Sequence, residues 1–215
     1  MTQPAAPNPS LDALRGEVID VAARRFMRVG FKSVTMDDIA RELGRSKKTL
    51  YTVVANKREL IDLVLDADMA ADDAAVDAAS AEAHDAIDEM LRIAEYFTEN
   101  INAMSPAAIY DLQKYYRPCW ERLDAHHNDK MIGHVRANLR RGQAEGLYRD
   151  DMDRELIAHL FVHSPKVLFD PDRQLLTPER SPTVLKQWML YHLLGVCSPA
   201  GRERLTDYLE RTPKA

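Results

Sequence analysis

Residues 35–60 read TMDDIARELGRSKKTLYTVVANKREL, and the punctuation of this stretch decides the fold. Thr35 with Asp38 three residues on is an N-cap followed by an acid that returns the bond, so a helix opens at Met36. Gly44 closes it after Leu43. Ser46 caps a second short helix over about Lys47 to Val54, and Asn56 with Glu59 marks a third start. With Leu50 set at zero and about 100° per residue, Val54 and Val53 fall to either side of it as an inward wedge. Lys48 and Thr52 point almost directly away, flanked by Thr49 and Tyr51. Two short helices joined by a glycine turn make a helix-turn-helix, whose second helix enters the major groove of double-stranded DNA. On that outward face lysine and threonine reach base edges, and a tyrosine hydroxyl reaches phosphate. Lys57 stands at the next helix start, where free N–H groups and the positive dipole end also favour a phosphate.

The surrounding sequence supports this reading over a merely solvated basic face. Leu11, Leu14, Val18, Val21, Ala22 and Phe26 form the apolar stripe of a bracing helix from about Leu11 to Val29, ended by Gly30. The chain of 215 residues has a formal net charge of -5, but residues 1–65 hold 11 Lys and Arg against 8 Asp and Glu. Only this front part suits a polyanion. The expected domains are a flexible arm (1–10), a three-helix DNA-binding domain (11–65) and a helical bundle (66–215). The arm, MTQPAAPNPS, lacks the charge and apolar core of a signal peptide. No apolar run approaches the roughly 18 residues of a membrane span. Cys119 and Cys197 stand alone, as expected of reduced thiols in the cytoplasm.

The rest of the chain also reads as helix, giving an all-α protein. The Ala- and acid-rich run 66–89 is expected to divide near Ser80. Ser105-Pro106 opens a helix that Pro118 should kink. Further helices follow over His127 to Glu145, Asp153 to Phe169, Pro182 to Val196 and Pro199 to Arg211, with a loop at FDPDRQLLTPERSP.

Residues 11–65 resemble the N-terminal domain of the TetR-type transcriptional regulators. Their pattern T-x-x-x-I-A-x-x-x-G-x-S-x-x-x-L-Y-x-x-F-x-x-K-x-x-L is matched at Thr35, Ile39, Ala40, Gly44, Ser46, Leu50, Tyr51, Lys57 and Leu60. Arg45 departs from it, standing where an apolar residue is usual, and Val54 replaces the phenylalanine. The resemblance implies phosphate contacts by Thr35, Tyr51 and Lys57 and base contacts by Lys48, Thr49 and Thr52; Arg45, which either adds a backbone contact or loosens the turn, and Ser46 and Lys47 complete the candidate DNA-binding set. It also implies a homodimer whose last long helices form a four-helix seam. Leu156, Leu160, Val167, Leu185, Met189, Leu193 and Val196 suit that seam or an ordinary core.

A small-molecule effector is expected in the second domain. Tyr110, Tyr115, Tyr116 and Trp120 surround the anticipated kink and either line a ligand cavity or fill the core. His159 and His163 lie four apart on one helical face, a spacing that can hold a metal, but no carboxylate or cysteine sits at a helpful short spacing from them. They are read as a core or interface pair and as pocket candidates, with no metal and no cofactor assigned. Motifs for nucleophile elbows, dinucleotide or P-loop phosphates and zinc peptidases are missing. The expectation is a cytoplasmic, ligand-responsive repressor rather than an enzyme or membrane protein. The alternative is a protein-interaction module of the same fold that does not read DNA.

Overall fold

The computed structural model describes residues 9–100, 104–164 and 181–211. Its helices are α1 (Pro9–Val29), α2 (Met36–Glu42), α3 (Lys47–Leu50), α4 (Lys57–Glu82), α5 (Ala86–Asn100), α6 (Pro106–Tyr115), α7 (Arg117–Ala144), α8 (Arg154–His163), α9 (Ser181–Val196) and α10 (Pro199–Arg211). The all-α class read from the sequence holds: among the described residues the only β pairing is an isolated bridge between Tyr148 and Cys197. Residues 1–8 of the anticipated arm, most of the anticipated loop before α9, and Val167 lie outside the described residues.

The chain forms two compact units, one of Met1–Ala70 with Ala103–Leu123 and one of Ala71–Asn102 with Asp124–Ala215. The division read from the sequence, at residue 65, left 103–123 with the second domain; here α6 and the first turns of α7 group with α1. The core of the first unit gathers Val18, Ala22 and Phe26 of α1, Ile39 of α2, Leu50 of α3 and Leu60, Ile61 and Leu65 of α4, all essentially sealed from solvent. Ala108, Leu112 and Cys119 enter the same cluster from α6 and α7.

Gly30 makes the attachment of α6 possible. It ends α1 with φ +95, and a Cβ there would stand 2.7 Å from Asp111 Oδ2. That oxygen accepts the backbone N–H of Lys32 at 2.7 Å, while Ser105 N–H donates to Met27 O at 2.7 Å. A side chain at position 30 would strain the backbone and displace the carboxylate.

Pro118 does not kink a continuous helix. Helix α6 stops at Tyr115, Tyr116 leaves helical geometry (φ -128, ψ 41), and α7 restarts at Arg117. Pro118 thereby falls in a first turn, where its missing N–H removes no bond. The Ala-rich run divides as expected, a few residues beyond Ser80: α4 ends at Glu82 and α5 begins at Ala86. Alanine favours helix, and the actual restart is set by the cap at Asp85.

In the second unit the buried start of α5 is fully partnered. Asp85 Oδ1 accepts the N–H groups of Ile87 and Asp88 at 3.0 and 2.9 Å, and its Oδ2 accepts Arg204 Nε at 2.8 Å and Tyr208 OH at 2.9 Å. Burial pushes the Asp85 carboxyl up, but these hydrogen bonds and the Arg204 charge more than reverse it, leaving the group below its ordinary range. Glu145 Oε2 takes Ala86 N–H at 2.8 Å, and Ala86 O accepts Asn138 Nδ2 at 2.9 Å and Tyr148 OH at 3.1 Å. Ile87, Met90, Leu139, Phe161, Met189, Leu193 and Val196 belong to the core around this start. Leu185, Met189, Leu193 and Val196, read as seam candidates, are therefore buried within one chain.

Helix α10 packs close to the strand-like turn at Leu147. Ser198 N–H bonds Leu147 O at 2.9 Å, and a Cβ on Gly201 would stand 1.9 Å from the same carbonyl oxygen. Gly201→Ala is accordingly expected to destabilise the protein by about 3 kcal/mol, lowering Tm by roughly 6–12 °C. Gly16 lies exposed inside α1 with nothing within 4 Å of such a Cβ, so Gly16→Ala should raise stability by about 0.5–1 kcal/mol. Thermal melts of the two variants check both signs.

His192, half-buried beside Phe161 at 4.3 Å between ring centroids, has its pKa lowered by burial to about 4. The unfolded chain therefore binds a proton that the folded chain does not between that value and about 6.5. This part of the stability is complete above pH 6.5 and is lost as pH falls toward 4. Urea midpoints measured across that window should fall for the wild type and less steeply for His192→Phe.

Candidate nucleic-acid interface

The interface is built on two caps. Thr35 Oγ1 accepts Asp38 N–H at 3.2 Å and Asp38 Oδ2 accepts Thr35 N–H at 2.9 Å, the reciprocal box expected from the sequence. Hydrogen bonds from the Thr35 side chain and backbone hold the Asp38 carboxyl below its ordinary pKa. Gly44, at φ +63, turns the chain so that Arg45 N–H reaches Ala40 O at 3.0 Å. Ser46 Oγ then accepts Thr49 N–H at 3.1 Å and opens α3.

Helix α3 is a single turn, shorter than the sequence suggested. Residues 51–53 continue as turns, with Val54 N–H bonding Leu50 O at 3.1 Å. The inward wedge forms as expected: Leu50 is 0% and Val54 2% exposed, and Val53 packs half-buried against the same core. Valine at 54 brings no ring to that core. Its aromatic packing comes from Phe26 and Phe31, stacked with centroids 5.0 Å apart.

Thr35, Arg45, Ser46, Lys47, Lys48, Tyr51 and Thr52 are exposed on this unit, while Thr49 and Lys57 are half-buried. The candidates differ in what already occupies them. Lys47 Nζ pairs with Asp37 Oδ2 at 3.0 Å, which ties α3 to α2 and raises the lysine pKa. Thr49 shares a 2.8 Å hydroxyl contact with Ser46, and Thr52 Oγ1 donates to Thr49 O at 2.6 Å. Lys48 and Arg45 have no carboxylate in ion-pair range among the described residues, and Tyr51 is 45% exposed. Lys57 lays its stem toward Phe26, with Nζ 5.9 Å from the ring centroid and 3.2 Å from Lys32 O. Burial lowers its pKa, against the opposing pull of Asp111 and Asp38.

The six pocket candidates are divided between the two units. Tyr110 and Tyr115 are 51% and 43% exposed on α6, while Tyr116 and Trp120 pack half-buried against the core of the first unit. His159 and His163 belong to the second unit, exposed on α8 with rings stacked 5.6 Å apart, and His159 Nε2 lies 3.3 Å from Glu155. An open groove of about 350 Å³ in that unit is lined by Arg136, Arg140, Met152, Asp153, Arg154 and Glu155, none of them a candidate. Among the described residues no three His, Cys, Asp or Glu side chains are placed to hold a metal, and no helix is long and apolar enough to cross a membrane. Sequence reasoning missed Lys32 and Lys114, which join Tyr110 and Tyr115 in one surface patch. Their meeting depends on the Gly30–Asp111 contact, for which the sequence carries no local signal.

Residues 18–64 match the family model of bacterial regulatory proteins, tetR family. An HTH-type transcriptional regulator of Bacillus subtilis (strain 168), YvaF, is 25% identical over 153 residues, covering 71% of this chain and 79% of that protein. The ketosteroid transcriptional regulator KstR2 of Mycobacterium tuberculosis shares 20% identity and a TM-score of 0.58, with 86% of this chain and 95% of that one covered. A transcriptional regulator from Cytophaga hutchinsonii superposes with a TM-score of 0.73 at 14% identity, over 89% of this chain and all of the other. Residues 18–64 thus resemble the tetR family of bacterial regulatory proteins, and the chain shares its fold with the two solved regulators. The two structural likenesses are ones of fold, and the family model falls on the caps, turn and wedge described above.

Because α3 is one turn long, its aim depends on its cap. Ser46→Ala should cost about 1 kcal/mol in thermal unfolding. It should also weaken binding to every DNA sequence, read as duplex affinity beside the melting curve.

Proposed function

We propose that this protein is a homodimeric, ligand-responsive repressor of the TetR type working in the cytoplasm, which reads a near-palindromic operator and leaves it when a small-molecule effector binds. The observation that carries the DNA-reading part is the outward face of α3: Lys48 has no described carboxylate partner, and Tyr51 and Thr52 stand exposed beside it, over a wedge that fixes the helix from behind. In a dimer two such faces enter successive major grooves about 34 Å apart. Lys48 reads bases, Thr49 and Thr52 line the same face, and Thr35, Tyr51 and Lys57 hold phosphates.

Exposed apolar side chains support the dimer. Leu156 and Leu160 on α8 are 55% and 56% exposed, and Tyr191 and Leu194 on α9 are 80% and 47% exposed. A partner copy laid on these helices would remove that surface from water. A small-molecule effector is in keeping with a structural neighbour described as a ketosteroid transcriptional regulator. Helix α4 supplies the mechanical link, since its residues are divided between the two units. An effector that shifts α4 changes the spacing of the two α3 helices, and both can no longer dock at once.

Fluorescence anisotropy on duplex DNA from the protein's own upstream region, against scrambled DNA and across a salt series, tests the reading. Tight, selective binding with a steep salt slope is expected. Lys48→Ala should lower the preference for the cognate duplex, corresponding to about 1–3 kcal/mol, whereas Tyr51→Phe should weaken both duplexes alike. An equal loss on both duplexes for Lys48→Ala would remove its base-reading role. Salt-independent binding to a protein partner, with none to DNA, would favour the interaction-module alternative. Leu160→Glu should shift the sedimentation coefficient to that of a monomer; an unchanged dimer would move the seam elsewhere.

A further inference from the structure

Beside the helix-turn-helix, the first unit carries a second cationic surface for which no function has been given. Two ammonium groups lie near the ring of Tyr115, Lys32 Nζ 4.2 Å and Lys114 Nζ 5.6 Å from its centroid. Lys32 Nζ donates to Tyr115 OH at 3.1 Å, Lys114 Nζ donates to Tyr110 OH, and the two rings meet edge-on at 6.3 Å. All four side chains are exposed. No described carboxylate comes within ion-pair distance of either lysine; the nearby acid, Asp111, is buried and engaged with Lys32 N–H.

The chemistry of this patch is one-sided. Each tyrosine oxygen accepts from a lysine, which leaves its O–H proton to be donated outward. The ammonium groups keep unused N–H donors, and a protonated lysine accepts nothing. Two like charges gather at one ring with no described counter-charge in ion-pair range, an arrangement that an anion relieves. The patch is also continuous with the DNA-binding surface: Lys57, at the start of α4, places Nζ 3.2 Å from Lys32 O. The Gly30–Asp111 contact and the core packing of Ala108 and Leu112 dock α6 in the same compact unit as α3.

We infer that Lys32, Lys114, Tyr110 and Tyr115 form an accessory phosphate clamp, which holds the DNA backbone flanking the half-site read by α3. This rests on the DNA-binding reading above and adds to it a longer footprint, in which α6 takes part. The DNA backbone is the occupant argued for because it presents successive phosphates, and Lys57, Lys32 and Lys114 are linked in turn, Lys57 Nζ reaching Lys32 O and Lys32 and Lys114 meeting at the Tyr115 ring. The clamp carries no sequence information and adds equally to binding of every duplex.

The test is a salt titration of the full-length protein on a random duplex of about 30 base pairs, from about 50 to 200 mM salt, read by anisotropy. Each phosphate contact contributes a slope of about 0.9 in log K against log salt. The double variant Lys32→Gln/Lys114→Gln should reduce the slope by about 1.8 and weaken binding at low salt by about tenfold or more. Tyr110→Phe/Tyr115→Phe should weaken binding with little change in slope. A charge-matched control in the other unit, Lys130→Gln/Lys186→Gln, should change neither. Melting curves confirm that each variant folds. If the slope survives in Lys32→Gln/Lys114→Gln while Lys57→Gln lowers it by about 0.9, the clamp is overturned and the DNA reading stands. An equal loss in the control pair overturns it as well, because the effect is then one of net charge. If the wild type shows no salt-dependent binding to any duplex, the DNA reading itself fails and takes the clamp with it.

Discussion

A helix of four residues has no stability of its own, and the proposed reading face of this protein is such a helix. Isolated helices need about 12–15 residues before they persist in water. Helix α3 exists because Leu50 and Val54 are sealed into the core behind it, Ser46 satisfies its first turn, and Lys47 ties it to Asp37. The residues proposed to address DNA alternate with those that hold the helix in place. The aim of Lys48 is therefore a property of the hydrophobic core, and the recognition surface is as rigid as the wedge beneath it.

The same economy governs the contact between α6 and the loop after α1. A glycine at positive φ opens the space, a buried carboxylate fills it, and a backbone N–H from Lys32 satisfies the carboxylate. Buried charge is tolerated only with such partners. The arrangement fixes the direction of Lys32 and brings Lys114, Tyr110 and Tyr115 beside it. A segment far along the chain thus becomes part of the unit that holds the helix-turn-helix.

The second unit uses polar groups differently. Asp85 begins α5 and is bound by two backbone N–H groups, an arginine and a tyrosine, while Arg141 binds Glu89 and Glu145 at 3.1 and 2.8 Å. These contacts anchor one buried helix start from three directions. The apolar residues of α9 then split by face: Leu185, Met189, Leu193 and Val196 turn inward, whereas Tyr191 and Leu194 stay exposed. Burial within one chain is what separates core residues from candidates for a shared face.

What the sequence determined by itself is local. The capping box at Thr35 and Asp38, the glycine turn at 44, the cap at Ser46 and the wedge of Leu50 and Val54 were all legible, because caps, turns and helical periodicity act within a few residues. So was the all-α class. Tertiary structure decided what depends on partners distant in the chain. It ended α6 at Tyr115 and restarted the chain at Arg117, so that Pro118 falls in a first turn and kinks nothing. It placed the tyrosines of α6 on the surface of the first unit instead of around a cavity, and His159 and His163 on the exposed face of α8. Tyrosine and histidine are amphipathic and suit either environment, so their spacing alone could not choose. For the tyrosines the choice came from Gly30 and Asp111, which meet through the fold and have no signature in the sequence around them.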